Sequence, residues 1–128
     1  MHDFTISERR RLYELARMRV ARDYRRPLTL TLLARELGIS TRQLQRIFAQ
    51  FGQGGFREQL LARRMLVAAE LLADSRIGIG EVARRVGYLH ESHFARVFRA
   101  RYGLSPRAYR LKVRGRELSW RASVGLRG

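Results

Sequence analysis

The chain has 128 residues, the size of one compact domain, and 45% of them are hydrophobic, a globular share that argues against general disorder. It carries 27 Lys and Arg residues against 11 Asp and Glu, and the formal net charge of +16 indicates a polyanionic partner, nucleic acid first and an anionic membrane surface second. The absence of cysteine excludes disulfides, thiolate metal sites and cysteine nucleophiles.

The first predicted element is a helix that begins after Ser7 and runs to about Tyr24. Ser7 is a suitable N-cap, Glu8 lies in the first turn, and Pro27 prevents the helix from continuing. Apolar residues recur along this helix at helical spacing, which predicts one buried face. The apolar stripe consists of Leu12, Leu15, Ala16 and Val20.

Six further helices are predicted, separated by short turns that glycine or serine residues mark. Thr29, Ser40 and Ser105 stand at helix starts as N-caps. Residues 113–128 show no periodicity and are interpreted as a basic C-terminal tail. Because no stretch alternates like a strand, the predicted fold class is all-α, with one long helix between two pairs of short helices. The six helices cover about residues 30–37, 41–51, 56–73, 79–86, 91–102 and 106–112.

An internal repeat is the main evidence for function. Ala34–Phe48 reads ARELGISTRQLQRIF, and Ala83–Phe98 reads ARRVGYLHESHFARVF. The first halves of the two copies align at an offset of 49 residues and the second halves at an offset of 50, because the second copy has one extra turn residue. Such a repeat indicates two copies of one supersecondary unit.

Each copy has the layout of a helix-turn-helix. A small residue, Ala34 or Ala83, lets two helices cross closely, and a glycine four positions later, Gly38 or Gly87, permits the sharp turn. The polar face of the second helix enters the major groove in this motif, where Arg pairs with guanine and Gln with adenine. That face offers Thr41, Arg42, Gln45 and Arg46 in the first copy, and Glu91, Ser92, Ala95, Arg96, Arg99 and Arg101 in the second.

Residues 27–109 resemble the AraC/XylS family of bacterial transcription regulators. The resemblance is carried by PLTLTLLARELGISTRQLQRIF, ARRMLVAAELL, and EVARRVGY followed by SHFARVFRARYGLSPRAYR. It implies two helix-turn-helix subdomains joined by a rigid helix, with recognition helices that enter successive major-groove segments about 34 Å apart. The implied organisation is an AraC-type DNA-binding domain over 1–112, followed by the tail over 113–128. Within the domain, the first helix-turn-helix lies at about 29–51, the connecting helix at about 56–73 and the second helix-turn-helix at about 79–102.

The resemblance also implies site residues. Base contacts fall on Arg42, Gln45 and Arg46 in the first recognition helix, and on Arg96, with Ser92 and His93 nearby, in the second. Helix N-termini bind phosphates, and the expected phosphate contacts are Thr29, Thr41, Arg99, Ser105 and Arg107.

The start of the second recognition helix departs from the family pattern. Where the family often has Ser or Asp as a cap, this chain has Leu89 and His90. The adjacent Glu91 has two interpretations: it accepts a hydrogen bond from cytosine N4, or it stabilises the helix N-terminus, which we favour.

These features predict a sequence-specific, double-stranded-DNA-binding transcription regulator. By resemblance we expect an activator that contacts RNA polymerase and acts as a monomer on DNA in the bacterial cytoplasm, associated with the nucleoid. The chain has no apolar stretch long enough to span a bilayer and no apolar signal-peptide core near its start, so no membrane partner is expected. No catalytic constellation, metal site or cofactor site is predicted.

Three alternative functions remain open. The chain could be a nonspecific nucleoid-type nucleic-acid-binding protein that uses the same charge. It could be an adaptor for an acidic protein partner, which would show no salt-dependent DNA binding. It could also be the DNA-binding fragment of a larger effector-responsive regulator.

Overall fold

The computed structural model describes residues 4–125, and all regular secondary structure in that part of the chain is helical. This confirms the predicted all-α fold with two helix-turn-helix subdomains. The chain divides into two compact units, one ending at Arg64 and the other beginning at Met65. The helices are α1 (Ile6–Asp23), α2 (Leu30–Leu37), α3 (Thr41–Phe51), α4 (Phe56–Asp74), α5 (Ile79–Arg85), α6 (Glu91–Tyr102) and α7 (Pro106–Ser123).

The first unit contains α1, α2, α3 and the beginning of α4, packed around Phe48. The Phe48 ring lies 5.7 Å from the ring of Tyr13 and 6.0 Å from that of Phe56, both in edge-on contacts. Arg64 in α4 donates hydrogen bonds to the carbonyl of Tyr24 at 2.8 Å and to that of Arg26 at 3.0 Å. These bonds satisfy carbonyls at and just beyond the end of α1. The rest of this core includes Ala16, Val20, Leu28, Leu33, Ala34, Leu44, Ile47 and Leu60.

The second unit contains the remainder of α4 with α5, α6 and α7. Its aromatic side chains cluster around Phe98, whose ring lies 5.8 Å from that of Phe94, 4.6 Å from that of Tyr102 and 5.3 Å from that of Tyr109. The hydroxyl of Tyr102 donates to the carbonyl of Met65 at 3.2 Å. Burial is the main cause that raises the pKa of Tyr102 above its ordinary value. Other buried residues of this unit are Ala68, Ala69, Leu72, Val82, Ala83, Val86 and Tyr88.

The two turns predicted from the repeat have the same backbone structure. Gly38 and Gly87 have φ angles of 72° and 98°, in the left-handed region that favours glycine. The residue after each glycine donates to a carbonyl five positions back: Ile39 to Ala34 at 3.0 Å, and Tyr88 to Ala83 at 2.9 Å. This six-residue closure is the Schellman motif, which ends α2 and α5 in the same way. Ala34 and Ala83 are both buried, as the predicted close helix crossing requires.

The start of α1 differs from the prediction. Thr5, not Ser7, is the N-cap: its hydroxyl accepts from the Glu8 N–H at 3.1 Å, and its own N–H donates to the Glu8 carboxylate at 2.7 Å. This reciprocal pair is a capping box. Ala16 and Val20 are buried as predicted and Leu12 is partly buried, but Leu15 is 45% exposed because Tyr13 completes the buried face of α1.

The C-terminal segment was predicted as a tail without regular structure, and this prediction is wrong for residues 113–123, which continue α7. Arg114 donates to the carbonyl of Ser75, and Arg121 pairs with Glu117 at 3.0 Å one turn earlier. Gly115 lacks the side chain of a strong helix former but does not end the helix. Residues 126–128 lie outside the described residues.

The connecting helix α4 is continuous over its 19 residues, close to the predicted span. Leu60 is buried in the first unit, and Met65, Ala68 and Leu72 are buried in the second. Arg110 of α7 donates to the Leu72 carbonyl at 3.0 Å near the end of α4. None of the helices described over residues 4–125 has the length and apolar character needed to cross a membrane.

Candidate nucleic-acid interface

The start of α3, the recognition helix of the first unit, is fixed by a second capping box. The Ser40 hydroxyl accepts from the Gln43 N–H at 3.0 Å, and the Gln43 side-chain oxygen accepts from the Ser40 N–H at 2.9 Å. Thr41 is the first residue of the helix and is partly buried. The inward face is formed by Leu44, Ile47 and Phe48, all fully or almost fully buried.

The opposite face of α3 presents Arg42, Gln45 and Arg46. Their spacing of three and four residues places them side by side on one face of the helix, and all three are exposed. With the other residues that the structure describes, none of these side chains makes a hydrogen bond or ion pair. Two guanidinium groups and one amide therefore stand free on the surface where the motif predicts base reading.

In the second unit, α6 has the same division of faces. Phe94 and Phe98 are completely buried, while Ser92, Arg96 and Arg99 recur along the exposed face at spacings of four and three residues. Across the described part of the chain, the side chains of these three exposed residues have no hydrogen-bond or ion-pair partner. The two recognition helices therefore both combine an apolar inner face with exposed polar side chains, of which Arg42, Gln45 and Arg46 in α3 and Ser92, Arg96 and Arg99 in α6 have no partner among the described residues.

The two recognition helices differ at their N-termini. His90 is the N-cap of α6, and its side chain makes no capping hydrogen bond. His93 is exposed, and its ring packs edge-on against the ring of Tyr88 at 5.3 Å. In residues 4–125, His90 and His93 belong to no group of three side chains that could hold a metal ion.

Glu91 lies against the preceding helix. A Cβ atom placed on Gly80 of α5 would meet the Glu91 carboxylate oxygen at 3.3 Å and an Arg84 guanidinium nitrogen at 3.8 Å. The carboxylate therefore lies over the first turn of α5. Glu91 is also the acidic residue in the first turn of its own helix, α6, which is the position that the favoured interpretation requires.

The predicted phosphate contacts include two hydroxyl groups that cap helices. Thr29 accepts from the Leu32 N–H and Ser105 from the Ala108 N–H, both at 3.1 Å. A hydroxyl that accepts in this way keeps its own proton as a donor, which a phosphate oxygen can accept. Arg99 and Arg107, also predicted, are exposed and have no partner among the described residues.

Many other arginines are engaged within the protein. Arg17 pairs with Glu14 at 2.7 Å, and Arg84 and Arg85 pair with Glu81 at 2.7 and 3.2 Å. The hydrogen bond from Arg84, followed by that from Arg85, holds the pKa of Glu81 below its ordinary value. Such pairs partly neutralise α1 and α5. Within residues 4–125, the exposed arginines without a partner are Arg11, Arg25, Arg26, Arg35, Arg42, Arg46, Arg57, Arg76, Arg96, Arg99, Arg107 and Arg116.

Arg57 is a candidate contact that the sequence patterns above do not single out. It lies in the first turn of α4 and lines a cleft of about 520 Å³ together with Thr29 and Gln45. A cation in the first turn is disfavoured by the helix dipole, which attracts anions there. That local mismatch is the sequence feature that could have identified Arg57.

Comparisons with known proteins agree with this geometry. A family model described as a helix-turn-helix domain matches residues 33–112. The chain is 36% identical over 93 residues to the uncharacterized HTH-type transcriptional regulator YpdC of Escherichia coli K12, a match that covers 73% of this chain and 33% of YpdC. It is 33% identical over 87 residues to the regulatory protein SoxS of Salmonella typhimurium, covering 68% of this chain and 81% of SoxS. The chain thus spans about a third of the length of YpdC and about four fifths of SoxS.

One of the similar solved structures contains bound DNA. The DNA-binding domain of the global transcriptional factor AdpA, crystallised in complex with a target DNA, matches with a TM-score of 0.74 and 28% sequence identity. The match covers 82% of this chain and 94% of that domain. The fold described above is therefore similar to that of a domain crystallised with its target DNA.

Proposed function

Because the chain belongs to the AraC-type helix-turn-helix family of DNA-binding transcription regulators, we propose that it regulates transcription by reading two successive major-groove segments of one DNA site. The observation that carries the proposal is the pair of recognition helices, α3 and α6, which both leave free arginines on an exposed polar face. The family consists of transcription regulators and not of enzymes.

In the first segment, Arg42, Gln45 and Arg46 are the proposed base-reading residues. A guanidinium can donate two hydrogen bonds to guanine O6 and N7, and a glutamine amide can pair with adenine N6 and N7. Each such pair discriminates against the wrong base by about 1–3 kcal/mol. The free state of all three side chains supports this role, since no internal bond must break before a base is bound.

In the second segment, Arg96 is the principal proposed base-reading residue, assisted by Ser92 and His93. Arg96 and Ser92 share the exposed face of α6 and lie one helical turn apart. His93 is exposed beside them, and its ring packs edge-on against the ring of Tyr88, which supports its role as an assisting contact.

Phosphate contacts would position the two recognition helices. Most of the proposed contacts lie at the N-termini of α2, α3 and α7, where backbone N–H groups and the helix dipole favour anions, whereas Arg99 lies in the last turn of α6. Arg57 joins them because it shares a cleft with Thr29 and Gln45. The proposed set is Thr29, Thr41, Arg57, Arg99, Ser105 and Arg107.

We further propose that the chain acts as a monomer and activates transcription. One chain carries two recognition helices, so it needs no second copy to contact two major-groove segments, which lie about 10 base pairs apart on one face of B-DNA. Family membership supports contact with RNA polymerase and an association with the bacterial nucleoid.

The decisive experiment is selection from a randomised duplex library at two salt concentrations, followed by sequencing of the bound DNA. We expect an enriched motif with two boxes about one helical turn apart. Salt-sensitive binding without an enriched motif would instead support a nonspecific DNA coat, which the free arginines outside the recognition helices, such as Arg25, Arg26 and Arg76, could sustain. Absence of DNA binding would favour an acidic protein partner.

A further inference from the structure

One large apolar side chain is almost fully exposed beside the second recognition helix. Leu89, in the turn between α5 and α6, is 92% exposed, against 68% for Leu118, the next most exposed large apolar residue that the structure describes. Single exposed apolar residues are common on protein surfaces, so exposure alone assigns no role.

Comparison of the two turns shows why Leu89 has no inward contact. Ile39 and Tyr88 hold equivalent positions, since both follow a left-handed glycine and close a Schellman motif. After Ile39 the first turn has one residue, the cap Ser40, whereas after Tyr88 the second turn has two, Leu89 and His90. Tyr88 is buried and fills the inward position. Leu89 is therefore the extra residue of the second copy, and it contributes nothing to the core.

Leu89 is also placed at the end of α6 that a helix-turn-helix inserts into the major groove. It immediately precedes the N-cap His90, and Ser92, on the proposed reading face, follows three residues later. The residues from His90 through His93 are all exposed, so within residues 4–125 this end of the helix is accessible to a ligand.

We infer that Leu89 is a specificity-determining residue that contacts the C5-methyl group of a thymine in the second recognition box. This inference rests on the proposed function. A leucine side chain can neither donate nor accept a hydrogen bond, so it cannot contribute polar contacts to phosphates or to the other base edges. The thymine methyl is the apolar group that the major groove presents, and apolar side chains recognise thymine by contact with it.

The test uses the two-box DNA site obtained by selection with the full chain. Each thymine of the second box is replaced in turn by uracil, which removes only the methyl group, and binding is measured for the wild type and for Leu89→Ala. We expect one uracil substitution to weaken wild-type binding about fourfold, the effect of exposing roughly one methyl group. The same substitution should leave the binding of Leu89→Ala unchanged, because the methyl has lost its partner.

Two further variants complete the test. Leu118→Ala, which removes an exposed leucine on α7, should keep the wild-type sensitivity to uracil. Leu89→Met, which keeps an apolar side chain, should retain most of it. The circular dichroism and melting temperature of Leu89→Ala should match the wild type, since the side chain is outside the core.

Two results would overturn the inference while leaving the proposed function intact. In one, every uracil substitution in the second box affects the wild type and Leu89→Ala equally. In the other, the second box contains no thymine. If selection yields no two-box site at all, the proposed function itself fails, and the inference fails with it.

Discussion

Arginine side chains have two different environments in this chain. Some bind carboxylates or backbone carbonyls within the protein, as Arg84 does with Glu81 and Arg64 with Tyr24. Others, such as Arg46 and Arg96, are exposed and free among the described residues. Exposed ion pairs contribute little to stability, about 0–1 kcal/mol each, so the main difference between the two groups is their availability to an anion.

The substitution Arg96→Ala should relax sequence preference in one box only. If Arg96 donates to a guanine, the variant loses discrimination of about 1–3 kcal/mol at that base pair, while the other box keeps its preference. The measurement is selection from the randomised library with each variant. Arg17→Ala, which removes one positive charge from α1 where Arg17 pairs with Glu14, is the matched control and should leave both boxes unchanged. Equal weakening on all sequences would identify Arg96 as a phosphate contact.

The exposed positions of Arg42, Gln45 and Arg46 could be predicted from the sequence, because they alternate at helical spacing with apolar residues that must be buried. The N-cap of α1 could not, since Thr5 and Ser7 are both suitable caps and only the backbone geometry selects Thr5. The exposure of Leu89 depends on Tyr88 taking the inward position, which requires knowledge of the tertiary packing.

At the scale of the helices, the two copies of the repeat share their turn and differ in their caps. The Schellman motif that ends α2 is repeated at the end of α5, with the same two backbone hydrogen bonds at equivalent positions. In contrast, α3 has a complete capping box at Ser40, and α6 has no capping side chain at His90. No capping side chain therefore accepts from the first backbone N–H groups of α6.

This contrast predicts unequal effects of alanine at the two caps. Ser40→Ala should lower the free energy of unfolding by about 1 kcal/mol, because the Gln43 N–H loses its acceptor. His90→Ala should change it little, and His90→Ser should increase it. Urea denaturation followed by circular dichroism measures all three. A loss at His90→Ala as large as at Ser40→Ala would contradict the prediction.

Two glycines should respond to alanine with opposite signs. Gly38 has a φ of 72°, and a Cβ there would meet no atom within 4 Å, so Gly38→Ala is destabilising through backbone strain alone, by about 1–2 kcal/mol. Gly115 lies inside α7 with equally open space around it, and Gly115→Ala should stabilise the helix by about 0.5–1 kcal/mol. The melting temperatures of the two variants test this prediction. Changes of the same sign in both melting temperatures would refute it.

The continuation of α7 was the largest element that sequence patterns missed. Its periodicity is weak, and Gly115 has a low helix propensity. The contact between Arg114 and the Ser75 carbonyl joins residues 39 positions apart, so no local pattern predicts it. The six other helices were predicted to within about two residues, since their ends are marked by local caps, glycines or a proline.

At the scale of the whole molecule, the net charge of +16 is the dominant property. Neutralised phosphates release counterions, so affinity for duplex DNA should fall with a slope of about −0.9 per phosphate contact in a plot of log K against log salt. Counterion release acts equally on all DNA sequences, so it increases the affinity for DNA but not the sequence specificity.

Arg107→Gln should reduce the magnitude of that slope by about 1 on selected and random duplexes alike. Fluorescence anisotropy over a series of salt concentrations measures the slope. Arg121→Gln makes the same change of charge on the same helix, at a residue that pairs with Glu117, and should leave the slope unaltered. If the two variants behave alike, Arg107 contributes only to the general charge of the chain.

The division of the chain into two compact units has a consequence for how such a protein changes over evolutionary time. Each recognition helix belongs to its own unit, and α3 and α6 each pack on residues of that unit. Substitutions at distant sites without shared partners have additive effects. If α3 and α6 read separate boxes, as proposed, a mutation that alters one box of the operator leaves recognition of the other box intact, and the target promoters can diverge one half-site at a time.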